Sequence, residues 1–206
     1  MNLKQYDGRI VRITDPDGRV FTGEAEALSA DYCLSEFGRE EDALQIRDYV
    51  FYARDIGKLE PMPNLAVLRA DETWQRAGAY YVRIQAMARK HHIPLRREFD
   101  AHDTPETKYI VVTDDDFPIA TARMYPLDER RMMIGRVVVL PEYRRQGIGT
   151  MVVWECEAWA EDLGYAVTVV ESRENKIDFY LQMDYEIRGE AVDGDTFRCV
   201  RMEKTL

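Results

Sequence analysis

Residues 136–150 read Arg136-Val137-Val138-Val139-Leu140-Pro141-Glu142-Tyr143-Arg144-Arg145-Gln146-Gly147-Ile148-Gly149-Thr150. Val137, Val138, Val139 and Leu140 are apolar without alternation, which suits a strand covered on both faces. Pro141 removes a ladder donor and ends it. Arg144 to Gly149 then form an R-x-x-G-x-G pattern. Its two glycines let the backbone approach a ligand and turn several N–H groups the same way. The helix expected next leaves its first amides unpaired, so the loop is a natural seat for a phosphate or pyrophosphate.

The surroundings sharpen this reading. Ile148, Val152, Cys156, Trp159 and Leu163 line one face at helical spacing, and Gly164 stops that helix. Cys156 is therefore read as core, with no activating base nearby. Tyr165 to Glu171 form a second buried strand. Asn175 to Met183 form a further helix carrying Phe179-Tyr180. A final hairpin pairs Asp184–Arg188 with Thr196–Met202 about Asp193-Gly194. A dinucleotide fingerprint needs G-x-G-x-x-G, and a Walker loop needs Gly-Lys-Ser/Thr; neither is present.

The order of strand, proline, R-x-x-G-x-G, helix, strand and Phe-Tyr closely resembles the acetyl-CoA-binding core of the GNAT acetyltransferase superfamily. That resemblance implies a mixed α/β fold, a central and mostly antiparallel sheet flanked by helices, and direct attack of an amine on the thioester in a ternary complex. It also implies roles. Val137, Val138 and Val139 would meet the pantetheine amides. Arg144, Arg145, Gln146, Gly147, Ile148, Gly149 and Thr150 would bind the pyrophosphate, and Asn175 would contact the cofactor or cap its helix. Tyr180 matches the tyrosine that often serves as general acid, with core packing as the competing role. Glu171, ending the buried strand beside the slot, is the first choice of base, with Asp100 and Glu98 behind it. The family's usual Gly-Phe after this helix is replaced here by Asp184-Tyr185.

Upstream, Leu65 to Arg69 read as a strand, and Asp71 as the cap of a helix reaching about Arg89. Its apolar stripe is Trp74, Ala77, Tyr81, Ile84 and Ala88. Lys108–Thr113 and Ile119–Tyr125 form a hairpin that feeds the cofactor strand. The loop from His91 to Asp103 holds three histidines and three carboxylates but no metal-ligand frame, so no metal is expected. Its run I-P-x-x-x-E-F-D-x-x-D resembles a GNAT subgroup, the ElaA/YjcF-like proteins. By that resemblance Glu98, Asp100, His102 and Asp103 are candidates to meet the substrate amine.

The first sixty residues read as all-β. Arg9–Thr14 and Arg19–Leu28 flank the turn Asp15-Pro16-Asp17-Gly18. Tyr32-Cys33-Leu34 begins a third strand, Glu36–Asp42 is a loop, and Gln45–Phe51 and Ile56–Leu59 complete five. Five short strands, opening L-K-Q-Y-D-G-R-I-V-R-I-T-D, resemble an Sm-like or SH3-like small barrel. Pro61-Met62-Pro63-Asn64 is the linker, which gives a barrel module at 1–62 and a GNAT domain at 63–206.

Composition sets outer bounds. The chain has 206 residues, 46% hydrophobic and 32% charged, with a net charge of -10. Such a balance supports a packed core and argues against non-specific nucleic-acid binding. Three scattered cysteines fit no disulfide framework and suggest a reducing, cytoplasmic setting. No apolar run is long enough for a membrane span. The expected partner is an amine acceptor, on a small molecule or a protein, and the barrel is read as a structural or subunit-contact module. Two rival readings stay open: an idle acetyl-CoA sensor, and an adaptor whose barrel binds a protein or RNA.

Overall fold

The computed structural model describes residues 1–193 and 197–206. After a 3-10 turn, Leu3–Tyr6, come β1 (Arg9–Thr14) and β2 (Val20–Leu28). Asp15 builds the turn between them: its Oδ1 accepts from the amides of Asp17 at 3.0 Å and Arg19 at 2.8 Å. Gly18 supplies the positive φ, +83°, that such a turn needs.

Two expectations for this segment are corrected. Tyr32-Cys33-Leu34 belong to a helix, α1 (Ala30–Phe37), which also takes in part of the loop expected at Glu36–Asp42. Ser29 caps it by accepting from the Tyr32 amide at 3.2 Å, and Gly38 closes it in the left-handed region. Gln45–Phe51 is two strands, β3 (Ala43–Ile46) and β4 (Tyr49–Tyr52), folded about Arg47 at φ +54°. With β5 (Lys58–Pro61) they make an antiparallel sheet in the order β4-β3-β2-β1-β5. Among the described residues β4 and β5 remain edges, so no closed barrel is found and an Sm-like or SH3-like barrel is not shown.

Among the described residues the second sheet has eight strands. After β6 (Leu65–Arg69), α2 (Thr73–Arg83) continues as a π-helical segment, Ile84–Arg89, and a short α3 (Leu95–Glu98) follows. Then come β7 (Lys108–Asp114), β8 (Phe117–Pro126) and β9 (Arg131–Val139) as an antiparallel meander. The helix α4 (Ile148–Asp162) crosses to β10 (Val167–Arg173), which pairs with β9 in parallel. Next are α5 (Ile177–Leu181), β11 (Glu186–Ile187), β12 (Val192–Asp193) and β13 (Arg198–Thr205). The order is β11-β13-β10-β9-β8-β7-β6, with β12 also on β13. The turn expected about Asp193-Gly194, and Thr196 beyond it, fall largely outside the described residues.

Helix α2 turns a different face inward from the one expected. Trp74 is 47% exposed and Tyr81 37%, while Gly78, Ala79 and Val82 are buried. Small size decides this: a Cβ at Gly78 would sit 3.1 Å from Pro118, so a side chain there would hold the helix off β8. Its N-cap is Glu72 rather than Asp71, with Gln75 returning the bond to the Glu72 amide at 2.9 Å.

The two sheets are not independent lobes. Val11, Ile13, Ala25 and Ile46 of the first share one buried cluster with Ile148, Val152 and Trp154 of α4. Tyr49 packs on Trp154, ring centres 5.7 Å apart, and its hydroxyl donates to the Gln182 carbonyl at 3.2 Å. The first sheet therefore lies against the helix that follows the glycine loop.

Candidate functional site

A slot opens where β9 and β10 part. Their parallel pairing runs from Arg131–Val167 to Ile134–Val170 and stops there, although β9 continues to Val139 and β10 to Arg173. A bulge produces the parting. On β8, Thr121 faces Val138 and Arg123 faces Gly135, so Arg136 and Val137 together oppose Ala122 alone. Arg136 takes φ +51° at this kink. Val137, Val138 and Val139 thus lie on a backbone edge that β10 does not pair, with the Val139 carbonyl already accepting from Arg144 Nε.

The glycine loop closes one end. Arg145 and Gly147 both have positive φ, +58° and +75°, and α4 starts at Ile148. Among the described residues, the amides of residues 145–150 make no hydrogen bond. Six consecutive free donors at a helix N-terminus match a diphosphate's oxygens. The loop is held from behind. Arg144 Nε donates to the Val139 carbonyl at 2.9 Å, and Gln146 Nε2 donates to the Glu142 carbonyl at 3.0 Å. From the first sheet, Arg12 Nη2 donates to Gln146 Oε1 at 2.6 Å and Thr22 Oγ1 donates to the Gln146 carbonyl at 2.5 Å. Gly147 is packed so tightly that a Cβ would fall 2.7 Å from the Thr22 nitrogen.

Tyr180 is 8% exposed, edge-on to Phe179 and Tyr185. Burial pushes its hydroxyl well above the ordinary phenol range, with a smaller upward push from Cys156. It stays protonated and able to donate. Its neighbour Phe179 lies 3.5 Å from where a Gly149 Cβ would be, which ties α5 to the loop. Glu171 is exposed near the free end of β10, and Asn175 is exposed in the 3-10 turn 174–176.

The acidic loop is brought together, with arginines as its partners. Arg83 is fully buried; its Nε donates to Glu98 at 2.8 Å, its Nη2 to the Glu98 carbonyl, and its Nη1 to Asp103 at 2.5 Å. Arg123 donates to Asp103 at 2.7 Å and to Asp100 at 2.8 Å. Arg136 reaches Asp100 at 3.0 Å and Glu98 at 3.4 Å. Burial alone would lift the Asp103 carboxyl, but hydrogen bonds from Arg83 and Tyr109 outweigh it and bring it down to about 2. Asp100 is lowered too, because its bonds from Arg123 overcome its burial. His102 lies flat on Tyr125, centroids 4.1 Å apart and planes within 10°. Of the four residues expected to meet an amine, Glu98 and Asp103 are thus enclosed by guanidiniums. Asp100 and His102 stand nearer the surface.

Sequence reading missed Arg83, Arg123 and Arg136. Two of them sit inside otherwise apolar segments, A-Y-Y-V-R-I and I-A-T-A-R-M, and an arginine in such a segment is the available signal of a buried ion pair. Arg12 and Thr22 carried no signal at all. Among the described residues no group of His, Cys, Asp or Glu is placed to hold a metal ion.

The Acetyltransferase (GNAT) family profile matches residues 68–185. Among curated proteins, an uncharacterized N-acetyltransferase of Bacillus subtilis, YjcF, is 26% identical over 125 residues, 61% of this chain and 87% of YjcF. Among solved structures, a protein of Lactobacillus plantarum described as an N-acetyltransferase superposes with a TM-score of 0.66 at 28% identity, covering 69% of this chain and 98% of that one. A GNAT family acetyltransferase of Elizabethkingia anophelis with acetyl-CoA bound shares the fold, with a TM-score of 0.52 at 14% identity over 69% and 99% of the two chains. The slot, the loop of free amides and the family match agree: this chain belongs to the GNAT acetyltransferase family.

Proposed function

We propose that the protein moves an acetyl group from acetyl-CoA to a primary amine by direct attack within a ternary complex. The run of unbonded amides at residues 145–150 carries this reading, because it fits the diphosphate of a coenzyme A ester. Arg144 to Thr150 hold that end, and the edge of Val137, Val138 and Val139 that β10 leaves unpaired takes the pantetheine amides. In the transfer the amine nitrogen bonds to the acetyl carbon, and the carbon–sulfur bond breaks. Glu171 accepts the amine's proton, directly or through water, and Tyr180 donates one to the departing sulfur. Asn175 contacts the cofactor rim. Asp100 and His102 border the acceptor, while Glu98 and Asp103 act through the arginines they fix. The likeness to YjcF supports placement in the ElaA/YjcF-like subgroup.

We assign residues 1–62 and 63–206 to two units. The first serves as a brace behind the coenzyme loop, a role supported by the Arg12 and Thr22 bonds to Gln146. The free cysteines Cys33, Cys156 and Cys199 fit a cytoplasmic setting. The test has two parts. Calorimetry with coenzyme A should show binding, and release of free thiol from acetyl-CoA should require an added amine. Binding without amine-dependent thiol release across a broad panel would leave a sensor in place of an enzyme. No binding would remove the assignment.

A further inference from the structure

Glu171 and Arg173 stand two residues apart on one face of β10, about 7 Å along a strand. The arginines around them are spoken for. Arg83, Arg123 and Arg136 each reach a carboxylate among Glu98, Asp100 and Asp103. Arg173 does not: among the described residues no carboxylate lies within ion-pair distance of it. Its guanidinium rests over the Phe197 ring at 3.3 Å, and its Nη2 reaches the Met87 sulfur at 3.3 Å. Neither contact neutralises a charge, and Arg173 is only half-exposed.

Basic groups gather beside it, with Glu98 as a more distant opposing charge, although the chain as a whole carries a net charge of -10. His91, edge-on to Phe197 at 5.2 Å, is depressed first by burial and then by Arg173, Lys90, Arg144 and His92, all cationic or basic neighbours. Arg173 is itself lowered, chiefly by burial. A half-buried guanidinium without a counter-ion is costly, and an incoming carboxylate or phosphate would remove that cost. The π-helical segment Ile84–Arg89 brings Met87 to this point; such segments often mark ligand sites.

Taking the acetyltransferase reading as its basis, we propose that Arg173 binds an anionic group on the acceptor, so that the substrate is a small primary amine bearing a carboxylate or phosphate. Glu171 faces the amine end and Arg173 the acidic end of one short molecule. A neutral or polycationic amine would leave Arg173 unpaired.

The experiment compares β-alanine, 2-aminoethyl phosphate, and their neutral matches β-alaninamide and ethanolamine, on the full chain. Readouts are kcat/KM from thiol release and, with coenzyme A present, equilibrium binding of each compound. At least one anionic acceptor should exceed its neutral match by about ten- to a hundredfold, the worth of one charge-assisted contact. The two anionic compounds separate carboxylate from phosphate. In Arg173→Gln that ratio should collapse through KM, and Arg173→Lys should restore part of it. Acetyl-CoA affinity of each variant verifies its fold. If acetyl-CoA binds but neither anionic compound binds or reacts better than its match, the inference falls, and the enzyme reading stands on thiol release with any amine. A ratio unchanged in Arg173→Gln also overturns it. Failure of acetyl-CoA to bind the native protein removes both.

Discussion

Replacing Arg12 by methionine keeps an unbranched apolar stem but deletes the guanidinium that holds Gln146. The bond lost, Arg12 Nη2 to Gln146 Oε1, is 2.6 Å long and partly buried. A hydrogen bond from a charged donor contributes about 1.5–3 kcal/mol. The lower end applies here because Arg12 and Gln146 both keep some exposure. Thr22 still fixes the Gln146 carbonyl, so the loop loosens without detaching. About 1.4 kcal/mol is a tenfold change in an equilibrium constant, so coenzyme A should bind about tenfold more weakly. Isothermal titration of Arg12→Met, Gln146→Ala and the double variant measures this as a cycle. Each single change should weaken binding, and the double change should add little to the larger of them. The maximal rate at saturating acetyl-CoA should hardly move, because Arg12 touches no reacting atom. Strictly additive losses, or a lowered melting temperature with unaltered affinity, would refute the idea that the first sheet positions the loop.

Other expectations follow from single contacts. Gly147→Ala forces a side chain into the left-handed region, about 1–2 kcal/mol, and places a Cβ 2.7 Å from the Thr22 nitrogen; a melting curve and a coenzyme titration should both show losses, and a neutral result would mean the loop is not packed as described. Tyr180→Phe should lower turnover while acetyl-CoA affinity holds; unchanged turnover removes Tyr180 from the chemistry. Asp103→Asn strips charge from a buried pair with Arg83 and should cost about 3–5 kcal/mol by denaturant titration. Because the folded Asp103 carboxyl sits at about 2, below its unfolded value near 3.9, its stabilisation is present above about pH 4 and fades as pH falls toward 2. The native protein should lose stability across that window, and Asp103→Asn should lose less.

Local features were legible and long-range ones were not. The strand 136–139 and the glycine loop depend on neighbours within a few residues, so spacing placed them; the stripe expected on α4 is buried at Ile148, Val152 and Cys156 but not at Leu163, which is 42% exposed. Cys156 was read as core and is buried. Helix α1 was missed although Ser29 and Gly38 bracket it, because its buried face amounts to Cys33 alone. The helix's other large apolar residues, Tyr32, Leu34 and Phe37, remain about half exposed. On α2 the large aromatics drew attention, yet Gly78 and Ala79 face the sheet, since close packing selects small residues there. Arg83 meets partners 15 and 20 residues away, and Arg12 meets Gln146 across 134. No window of sequence carries pairings at those separations.

The arginine network also bears on the slot itself. A non-glycine residue at positive φ costs about 1–2 kcal/mol, and Arg136 adopts one in the bulge that separates β9 from β10. Something must offset that cost, and the side chain at the kink is the one tied to Asp100 at 3.0 Å and Glu98 at 3.4 Å. Those carboxylates are fixed in turn by Arg123 and Arg83. These ion pairs therefore help to stabilise the kink beside the backbone edge on which the acetyl donor is proposed to lie. On the proposed reading the coenzyme end is built from main-chain donors that only a substitution to proline can delete, so other exchanges act on it through its shape. On the same reading the acceptor end is built from charges, and a single exchange there should alter which amine is accepted. One kinked residue, Arg136, then joins the two, and coenzyme affinity should respond to changes in the acidic loop, which among the described residues makes no ion pair with residues 145–150.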